Sequence, residues 1–329
     1  MEPNQEMPIE NEGVDVSFVQ NLAEKINAEI AKVVIGNHEI VDYMVAAMLT
    51  GGHILLEGPP GVAKTLMAKL LAQSVQTDFS RIQFTPDLMP SDVTGTSVFN
   101  LKTSEFSFMK GPIFSNIVLI DEINRAPAKT QSSLFEVMEE LQVSVDGNTY
   151  PMGFPYMVMA TQNPIEQEGT YRLPEAQLDR FVFKLKIDYP DLNGEKEILR
   201  RFQNDFKQNV KNEVHAVCNA SDIRNCQELI ETVFIQPDLL DYIAAIVDGT
   251  RNHRFLFLGA SPRASLAILK TSKALAALNG RNFVTPDDVR SVTYPVLNHR
   301  VALTPEKEME GITIDEVITE IIQKIEVPR

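Results

Sequence analysis

The chain has 329 residues, of which 44% are hydrophobic and 23% charged, so it is long enough for about two domains and is not a mainly disordered chain. The net charge is −12 over residues 1–189 and −3 over residues 190–329, and such an acidic first part argues against nucleic acid as a partner. The two cysteines, Cys218 and Cys226, form no metal-binding pattern, and we find no apolar segment long enough to span a membrane. We therefore expect a cytoplasmic protein.

Short apolar runs alternate with helical stretches up to about residue 189, and this alternation predicts an α/β domain with a mostly parallel sheet. The predicted strands are His53–Glu57, Ser80–Phe84, Ile117–Asp121, Tyr156–Gln162 and Val182–Ile187. The predicted helices are Phe18–Val33, Glu39–Leu49, Thr65–Ser74, Pro127–Glu140 and Pro174–Asp179. The α/β domain is expected over residues 17–189, after a polar N-terminal tail over residues 1–16.

Two predicted hairpins interrupt this alternation, near residues 86–112 and 142–152. Asp146 and Gly147 provide the tight turn of the second hairpin. Beyond residue 193 helical periodicity dominates, with a capped helix start at Thr285. We expect an all-helical domain over residues 190–329.

A loop rich in glycine and proline joins the strand His53–Glu57 to the next helix. It consists of Gly58, Pro59, Pro60, Gly61, Val62, Ala63, Lys64, Thr65 and Leu66. In such a P-loop, backbone N–H groups wrap the phosphates of a nucleotide, Lys64 reaches the β- and γ-phosphates, and the Thr65 hydroxyl holds Mg²⁺. Ala63 replaces the usual glycine, and because alanine adds only a methyl group and favours a helix start, we expect the loop to keep this role. The alternative is a simple turn followed by a solvated lysine.

The strand Ile117–Asp121 ends in an acidic pair, 57 residues after Lys64. Ligands of open α/β sheets bind at the carboxyl ends of the strands, where Asp121 would assist Mg²⁺ and Glu122 would polarise a water for attack on the γ-phosphate. An acidic pair can also simply begin a turn. With the P-loop, it predicts binding and hydrolysis of ATP.

Several further stretches resemble the MoxR family of AAA+ ATPases, and the resemblance as a whole covers about residues 30–300 in order. They are Arg81–Leu88, Asp121–Ala126, Ala160–Pro164, Leu173–Phe181 and Gly259–Ala264. The resemblance implies a P-loop AAA+ domain followed by a helical lid, ATP and Mg²⁺ as ligands, and a homo-oligomeric ring, expected to be a hexamer.

The resemblance also implies roles for single residues. Asn163 corresponds to the sensor-1 residue that positions the attacking water, although an Asn-Pro pair also forms turns. Arg180 corresponds to an arginine finger that reaches the γ-phosphate of a neighbouring subunit, whereas the alternative is a surface ion pair with Asp179. Arg263 corresponds to the sensor-2 arginine of the lid, and whether it serves its own nucleotide or a neighbour's stays open.

Three further features each have two interpretations. Val34 and Ile35 resemble the segment that lines the adenine, but an apolar run is also typical of plain core. Arg125 belongs either to the subunit interface or to a structural ion pair. The two hairpins resemble the helix-2 insert and the hairpin before sensor 1, and the alternative is a pair of ordinary exposed hairpins.

The resemblance implies a chaperone-like ATPase that assembles, matures or activates a partner protein complex, with a von Willebrand factor A domain protein as one such partner. The rivals are a motor subunit similar to magnesium chelatase or to a helicase, and a nucleotide-binding scaffold that does not hydrolyse ATP. A phosphate-release assay separates the enzyme from the scaffold.

Overall fold

The computed structural model describes residues 14–102, 104–163, 171, 173–203 and 214–328. The strands are β1 (His53–Glu57), β2 (Phe79–Gln83), β3 (Gly95–Asn100), β4 (Glu105–Lys110), β5 (Ile117–Asp121), β6 (Gln142–Val145), β7 (Asn148–Pro151), β8 (Met157–Gln162), β9 (Phe181–Lys186), β10 (Leu256–Leu258) and β11 (Ala302–Leu303). The helices are α1 (Ser17–Ala31), α2 (His38–Leu49), α3 (Lys64–Ser74), α4 (Pro90–Thr94), α5 (Ala128–Glu140), α6 (Glu175–Leu178), α7 (Leu192–Phe202), α8 (Ala220–Thr232), α9 (Pro237–Arg251), α10 (Pro262–Leu278), α11 (Pro286–Leu297), α12 (Pro305–Met309) and α13 (Ile314–Lys324).

The central sheet has five strands within the described ranges, in the order β2-β5-β8-β1-β9, and every neighbouring pair is parallel. This confirms the predicted α/β class. Three predicted strands differ from the observed ones: β2 and β9 each begin and end one residue earlier than predicted, and β8 begins one residue later. The register explains two of these differences, because Phe79 pairs with Ile117 and Phe181 pairs with His53, so that β2 and β9 both begin one residue early.

Alternate residues of the sheet pack into two hydrophobic clusters, one on each face, as the period of two requires. Ile54 and Leu56 belong to the cluster shared with α1, α2 and α3, whereas Leu55 belongs to the cluster shared with α5. Strand β5 is buried at all five positions. A sheet covered on both faces leaves its strand ends for binding.

Both predicted hairpins are present, as β3 paired with β4 and β6 paired with β7. They contact each other: the ring of Phe108 stacks on Tyr150 with centroids 4.4 Å apart, and the Ser97 hydroxyl donates to Asp146 Oδ2 at 2.5 Å. The end of the first hairpin carries exposed apolar side chains, among them Leu101, which is 85% exposed. Its role stays a prediction.

Helices α8 to α13 lie in the part of the chain that we predict as the lid, and Thr285 caps α11 as expected, since its hydroxyl accepts from Asp288 N at 3.4 Å. The lid also contains a two-stranded antiparallel sheet, β10 with β11, that was not predicted. Buried residues of α8 to α11 lie in the same hydrophobic cluster as those of α1, α2 and α3. The boundary that we predict at residue 189 lies between β9 and α7.

Residues 1–13 of the predicted tail and Pro164 lie outside the described residues. Among the residues that the structure does describe, no helix combines the length and the apolar character that crossing a membrane requires.

Candidate nucleotide-binding site

The carboxyl ends of β1, β5 and β8 meet at one edge of the sheet because these strands are parallel neighbours. The loop 58–65 follows β1, the pair Asp121 and Glu122 stands at the end of β5, and Asn163 follows β8. Glu57 is paired with Gln162, which brings Asn163 close to the start of the loop. We call this group of residues the phosphate edge. The structure thus brings together the predicted phosphate, magnesium and water-activating residues.

The loop 58–65 requires its glycines. A Cβ on Gly58 would lie 2.3 Å from the Ile187 carbonyl oxygen, and Gly61 has a φ of +87°. Ala63 has a φ of +60° and lies just before α3, in the left-handed region that L residues avoid. The helix preference of alanine therefore does not act at this position, contrary to the reason we gave for expecting the loop to tolerate it.

Lys64 is the first residue of α3, and its Nζ donates to the Gly58 carbonyl oxygen at 2.7 Å. Burial lowers the pKa of this ammonium group, while the carboxylates of Asp121, Glu122 and Glu57 oppose that change. A partly desolvated lysine beside backbone N–H groups is suited to a phosphate, since the phosphate replaces a weak carbonyl partner with a charged one.

Asp121 is buried, with 7% of its surface exposed. Its Oδ1 accepts from the Thr161 hydroxyl at 3.2 Å, and its Oδ2 from Arg81 Nε at 2.5 Å. The Arg81 side chain is half exposed. The Thr65 hydroxyl and the Asp121 carboxylate are hard oxygen donors, which fit Mg²⁺. Within the described ranges no group of three His, Cys, Asp or Glu side chains could hold a metal ion by itself, so phosphate and water would complete the coordination.

Glu122 has a φ of +57°, a left-handed conformation that is strained for a glutamate. Its N–H donates to the Thr161 hydroxyl at 3.0 Å, while its Oε2 accepts from Gln83 Nε2 at 2.9 Å. Arg125 Nε lies 2.8 Å from the same oxygen, which favours the ion-pair interpretation of Arg125. The carboxylate is therefore held by two side chains that the sequence analysis did not assign to it.

Val34 and Ile35 lie between α1 and α2, on the segment that we predict to line the adenine. Val34 is 5% exposed and belongs to the main hydrophobic cluster. Ile35 is half-buried beside Gly194 of α7, where a Cβ would lie 3.9 Å from Ile35 Cγ2. Their contact with adenine stays a prediction.

Arg180 and Arg263 do not lie at the phosphate edge. Arg180 immediately precedes β9, whose first residue, Phe181, pairs with His53 at the amino end of β1. The length of β1, about 13 Å at about 3.3 Å per residue, separates this end from the P-loop. The two predicted arginines therefore lie at the opposite edge of the sheet from Lys64.

At that opposite edge Glu139, from the end of α5, contacts both arginines. Its Oε2 accepts from Arg180 Nε at 3.0 Å and from Arg180 Nη2 at 2.5 Å, and its Oε1 accepts from Arg263 Nη2 at 2.6 Å. A further Arg180 nitrogen, Nη1, donates to the Ala176 carbonyl at 2.9 Å. We call Glu139, Arg180 and Arg263 the arginine edge. The alternative pairing of Arg180 with Asp179 is wrong.

Asp179 is instead paired with Arg300, whose Nε lies 2.7 Å from Asp179 Oδ1. The Arg300 side chain is 3% exposed, and its other four N–H groups donate to the carbonyls of Asp179, Phe181, Val182 and Val296. All five donors of a guanidinium are therefore used. Asp179 Oδ2 also accepts from the hydroxyl of Ser261, the N-cap of the helix that carries Arg263. The lid is thus attached directly beside Arg180.

Five residues of these two edges have no role in the predictions from sequence: Arg81, Gln83, Glu139, Thr161 and Arg300. Arg81 and Gln83 alternate at the carboxyl end of β2, and polar residues in that position of a predicted parallel strand are a usable signal. Thr161 in the apolar strand β8 is another. Glu139 and Arg300 give no local signal, because their partners are distant in the chain.

Comparison with known proteins identifies the family of this chain. Residues 53–183 match the model of the ATPase family associated with various cellular activities (AAA), and residues 248–321 match the AAA lid domain. Chaperone MoxR1 of Mycobacterium tuberculosis (strain ATCC 25618 / H37Rv) is 43% identical over 92% of this chain and 81% of its own length. An uncharacterized protein, YeaC of Bacillus subtilis (strain 168), is 47% identical over 91% of this chain and 92% of its own.

A solved structure agrees with these relatives. The crystal structure of a protein of Cytophaga hutchinsonii ATCC 33406, described as a candidate ATPase, has a TM-score of 0.88 and 41% identity, and covers 95% of this chain and 97% of that one. These matches extend over both the α/β part and the lid. The chain therefore belongs to the MoxR family of AAA+ ATPases.

Proposed function

We propose that this protein hydrolyses ATP to ADP and phosphate, with Mg²⁺, at a site that two neighbouring copies complete together in a hexameric ring. One observation supports the proposal above all others. The residues suited to binding the triphosphate and the arginines suited to stabilising its transition state lie at opposite edges of the same sheet. One copy therefore presents its arginine edge to the phosphate edge of the next.

Within the phosphate edge each residue has a distinct task. Lys64 binds the β- and γ-phosphates, and Mg²⁺ held by Thr65 and Asp121 would neutralise phosphate charge. Glu122 accepts a proton from the attacking water, and the Asn163 amide orients that water. The contacts of Glu122 with Gln83 and Arg125 place its carboxylate before substrate arrives.

From the neighbouring copy, Arg180 contacts the γ-phosphate, because a planar and permanently charged guanidinium suits the charge spread over phosphate oxygens. The position of Arg263 at the same edge supports a role in trans for it as well. An isolated copy would bind ATP through Lys64 and hydrolyse it slowly.

Phosphate release by the purified protein tests this proposal. Specific activity should rise with protein concentration as copies assemble, and chelation of Mg²⁺ should abolish it. Arg180→Ala should bind a fluorescent ATP analogue normally and hydrolyse ATP about 10³–10⁵ times more slowly. Mixing Arg180→Ala with Lys64→Ala should restore part of the activity, because the Lys64→Ala copy still presents an intact Arg180.

Two results would contradict the shared site: full activity in Arg180→Ala, and activity independent of concentration in a proven monomer. Hydrolysis undiminished in excess chelator would contradict the role of Mg²⁺. Binding of ATP with no turnover at any concentration would favour the scaffold instead.

For the partner, we infer a protein complex that the ATPase cycle assembles, matures or activates, in the cytoplasm. The name of the relative Chaperone MoxR1 and the family resemblance support the partner complex. The free thiols of both cysteines fit the reducing environment of the cytoplasm. A von Willebrand factor A domain protein is the partner class that we would test first. A Glu122→Gln form held with ATP should retain the partner on purification, and wild-type protein with ADP should release it. Equal retention by both forms would contradict a nucleotide-dependent partner.

A further inference from the structure

We propose that Glu139 is a positioning residue that holds Arg180 and Arg263 together as one receptor for the triphosphate bound by the neighbouring copy. The inference rests on the proposed function, because it concerns how the arginine edge is built. The observation that supports it is that Glu139 bridges the two arginines: each of its carboxylate oxygens accepts a hydrogen bond from a different arginine.

The geometry leaves donors for a phosphate. Arg180 directs Nε and Nη2 to Glu139 and Nη1 to Ala176. Of its five N–H groups, these three have acceptors, so one hydrogen on each terminal nitrogen has none within the described part of the chain. Arg263 directs only Nη2 to Glu139, and its side chain is 53% exposed. Glu139 thus fixes one side of each guanidinium and leaves the other side for an incoming anion.

The charges also favour a residue of this kind. Two guanidinium groups that face one small anion repel each other before the anion arrives. The carboxylate between them offsets this repulsion, and the hydrogen bonds from Arg263 and Arg180 lower the pKa of Glu139, so it stays ionised at neutral pH. The pair is therefore organised in advance of substrate.

The support of Glu139 is rigid, although the side chain lies at the surface. The last turns of α5 are anchored by buried Phe135, Val137 and Met138. The Phe135 ring also lies below Arg180, with the guanidinium carbon 6.0 Å from the ring centroid. Glu139 therefore transmits the position of the α/β core to Arg263, which belongs to the lid.

Glu139→Gln is the sharpest test because it keeps the shape of the side chain but leaves one acceptor oxygen. The amide can then accept from one arginine and presents an NH₂ group to the other. A misplacement of about 1 Å costs about 10²-fold in rate, so we expect kcat for ATP to fall by about that factor while KM stays unchanged. Glu140→Gln is the matched control, since Glu140 is the next exposed carboxylate on α5 and forms no ion pair in the described ranges.

A second measurement separates positioning from folding. Mixing Glu139→Gln with Lys64→Ala should restore activity, because the Lys64→Ala copy supplies an intact arginine edge to a neighbour that binds ATP. Glu139→Gln activity equal to that of Glu140→Gln, in a protein where Arg180→Ala is inactive, would overturn the inference and leave the proposed function standing. A loss that mixing does not restore would overturn it too. Full activity of Arg180→Ala would instead remove the proposed function on which the inference rests.

Discussion

The two edges of the central sheet differ in how they are assembled. The phosphate edge takes its ligand-binding residues from the carboxyl ends of β1, β5 and β8 and from the segments that directly follow them, so the strand ends themselves bring them together. The arginine edge takes one residue each from α5, the link before β9, and the lid, and it depends on side-chain bonds to hold them. A parallel sheet therefore builds the first site through its backbone, whereas the second site is maintained by individual ion pairs.

The largest expected effect is at the phosphate edge, where binding and turnover should separate. Lys64→Ala removes the charge that pairs with the phosphates and should abolish ATP binding. Glu122→Gln should keep binding and slow hydrolysis by about 10²–10⁴-fold, because an amide cannot accept the proton. A fluorescent ATP analogue and a phosphate-release assay measure the two properties. Equal loss of binding in both variants would show that the phosphate edge does not divide these roles.

The attachment of the arginine edge should depend on Arg300. Arg300→Met leaves the carboxylate of Asp179 without its buried partner, and loss of one member of such a pair costs about 3–5 kcal/mol. Urea unfolding measures this cost. Arg200→Met, at an exposed arginine of α7 that forms no ion pair with the described residues, should change stability by less than about 0.5 kcal/mol. Similar values for the two variants would mean that the lid does not rely on this bond.

The pH dependence of stability should report on His53, which is 4% exposed at the amino end of β1 and pairs with Phe181, the residue after Arg180. Its Nδ1 accepts from Val158 N at 3.1 Å, so the neutral ring carries its proton on Nε2 and donates to the Met138 carbonyl at 3.0 Å. Burial lowers the pKa of His53 from 6.5 to about 4.

Between these values the unfolded chain binds a proton that the folded protein does not, so stability falls as pH decreases from 6.5 towards 4. The free energy of unfolding of wild type relative to His53→Gln should decrease by about 1.4 kcal/mol per pH unit over that range. Urea unfolding of both proteins between about pH 4 and about pH 7 measures this difference. A constant difference would show that His53 is not buried as a neutral ring.

The smallest expected effect on stability is at Ala63, in the P-loop. Ala63→Gly relieves a left-handed conformation that costs alanine about 1–2 kcal/mol, against about 0.4–1 kcal/mol for the greater freedom of the unfolded chain. We expect a net stabilisation of about 1 kcal/mol or less in thermal unfolding. Ala244→Gly, in the exposed interior of α9, should destabilise by about 0.5–1 kcal/mol. Destabilisation of both variants alike would contradict the left-handed geometry of Ala63.

Sequence reasoning was effective where chemistry and backbone are contiguous. The loop 58–65 and the pair after β5 each follow an apolar strand directly, so the sequence places them at a strand end without knowledge of tertiary contacts. Arg180 and Arg263 were identified by resemblance alone. Their bridging residue was missed because Glu139 lies 41 residues from the first and 124 from the second, and a surface glutamate near a helix end has no distinctive pattern.

Three other features could not be predicted because no local sequence pattern reveals them. Arg300 lies 121 residues from Asp179, so no local pattern connects them. Strands β10 and β11 have three and two residues, too few to show an alternation of apolar and polar positions. The positive φ of Ala63 follows from the path of the loop, whereas our prediction used the average preference of alanine for helices.

The hydrophobic cluster that α1, α2 and α3 share with α8 to α11 has a consequence for cooperativity. Two lobes that interdigitate in one core cannot melt one after the other, so calorimetry should record a single transition. A fragment of residues 190–329 made alone would expose the apolar side chains of Ile223, Ile230 and Ile268, which are buried in the full chain. Such a fragment should aggregate, and any large rotation of the lid during the ATP cycle would have to break this common core.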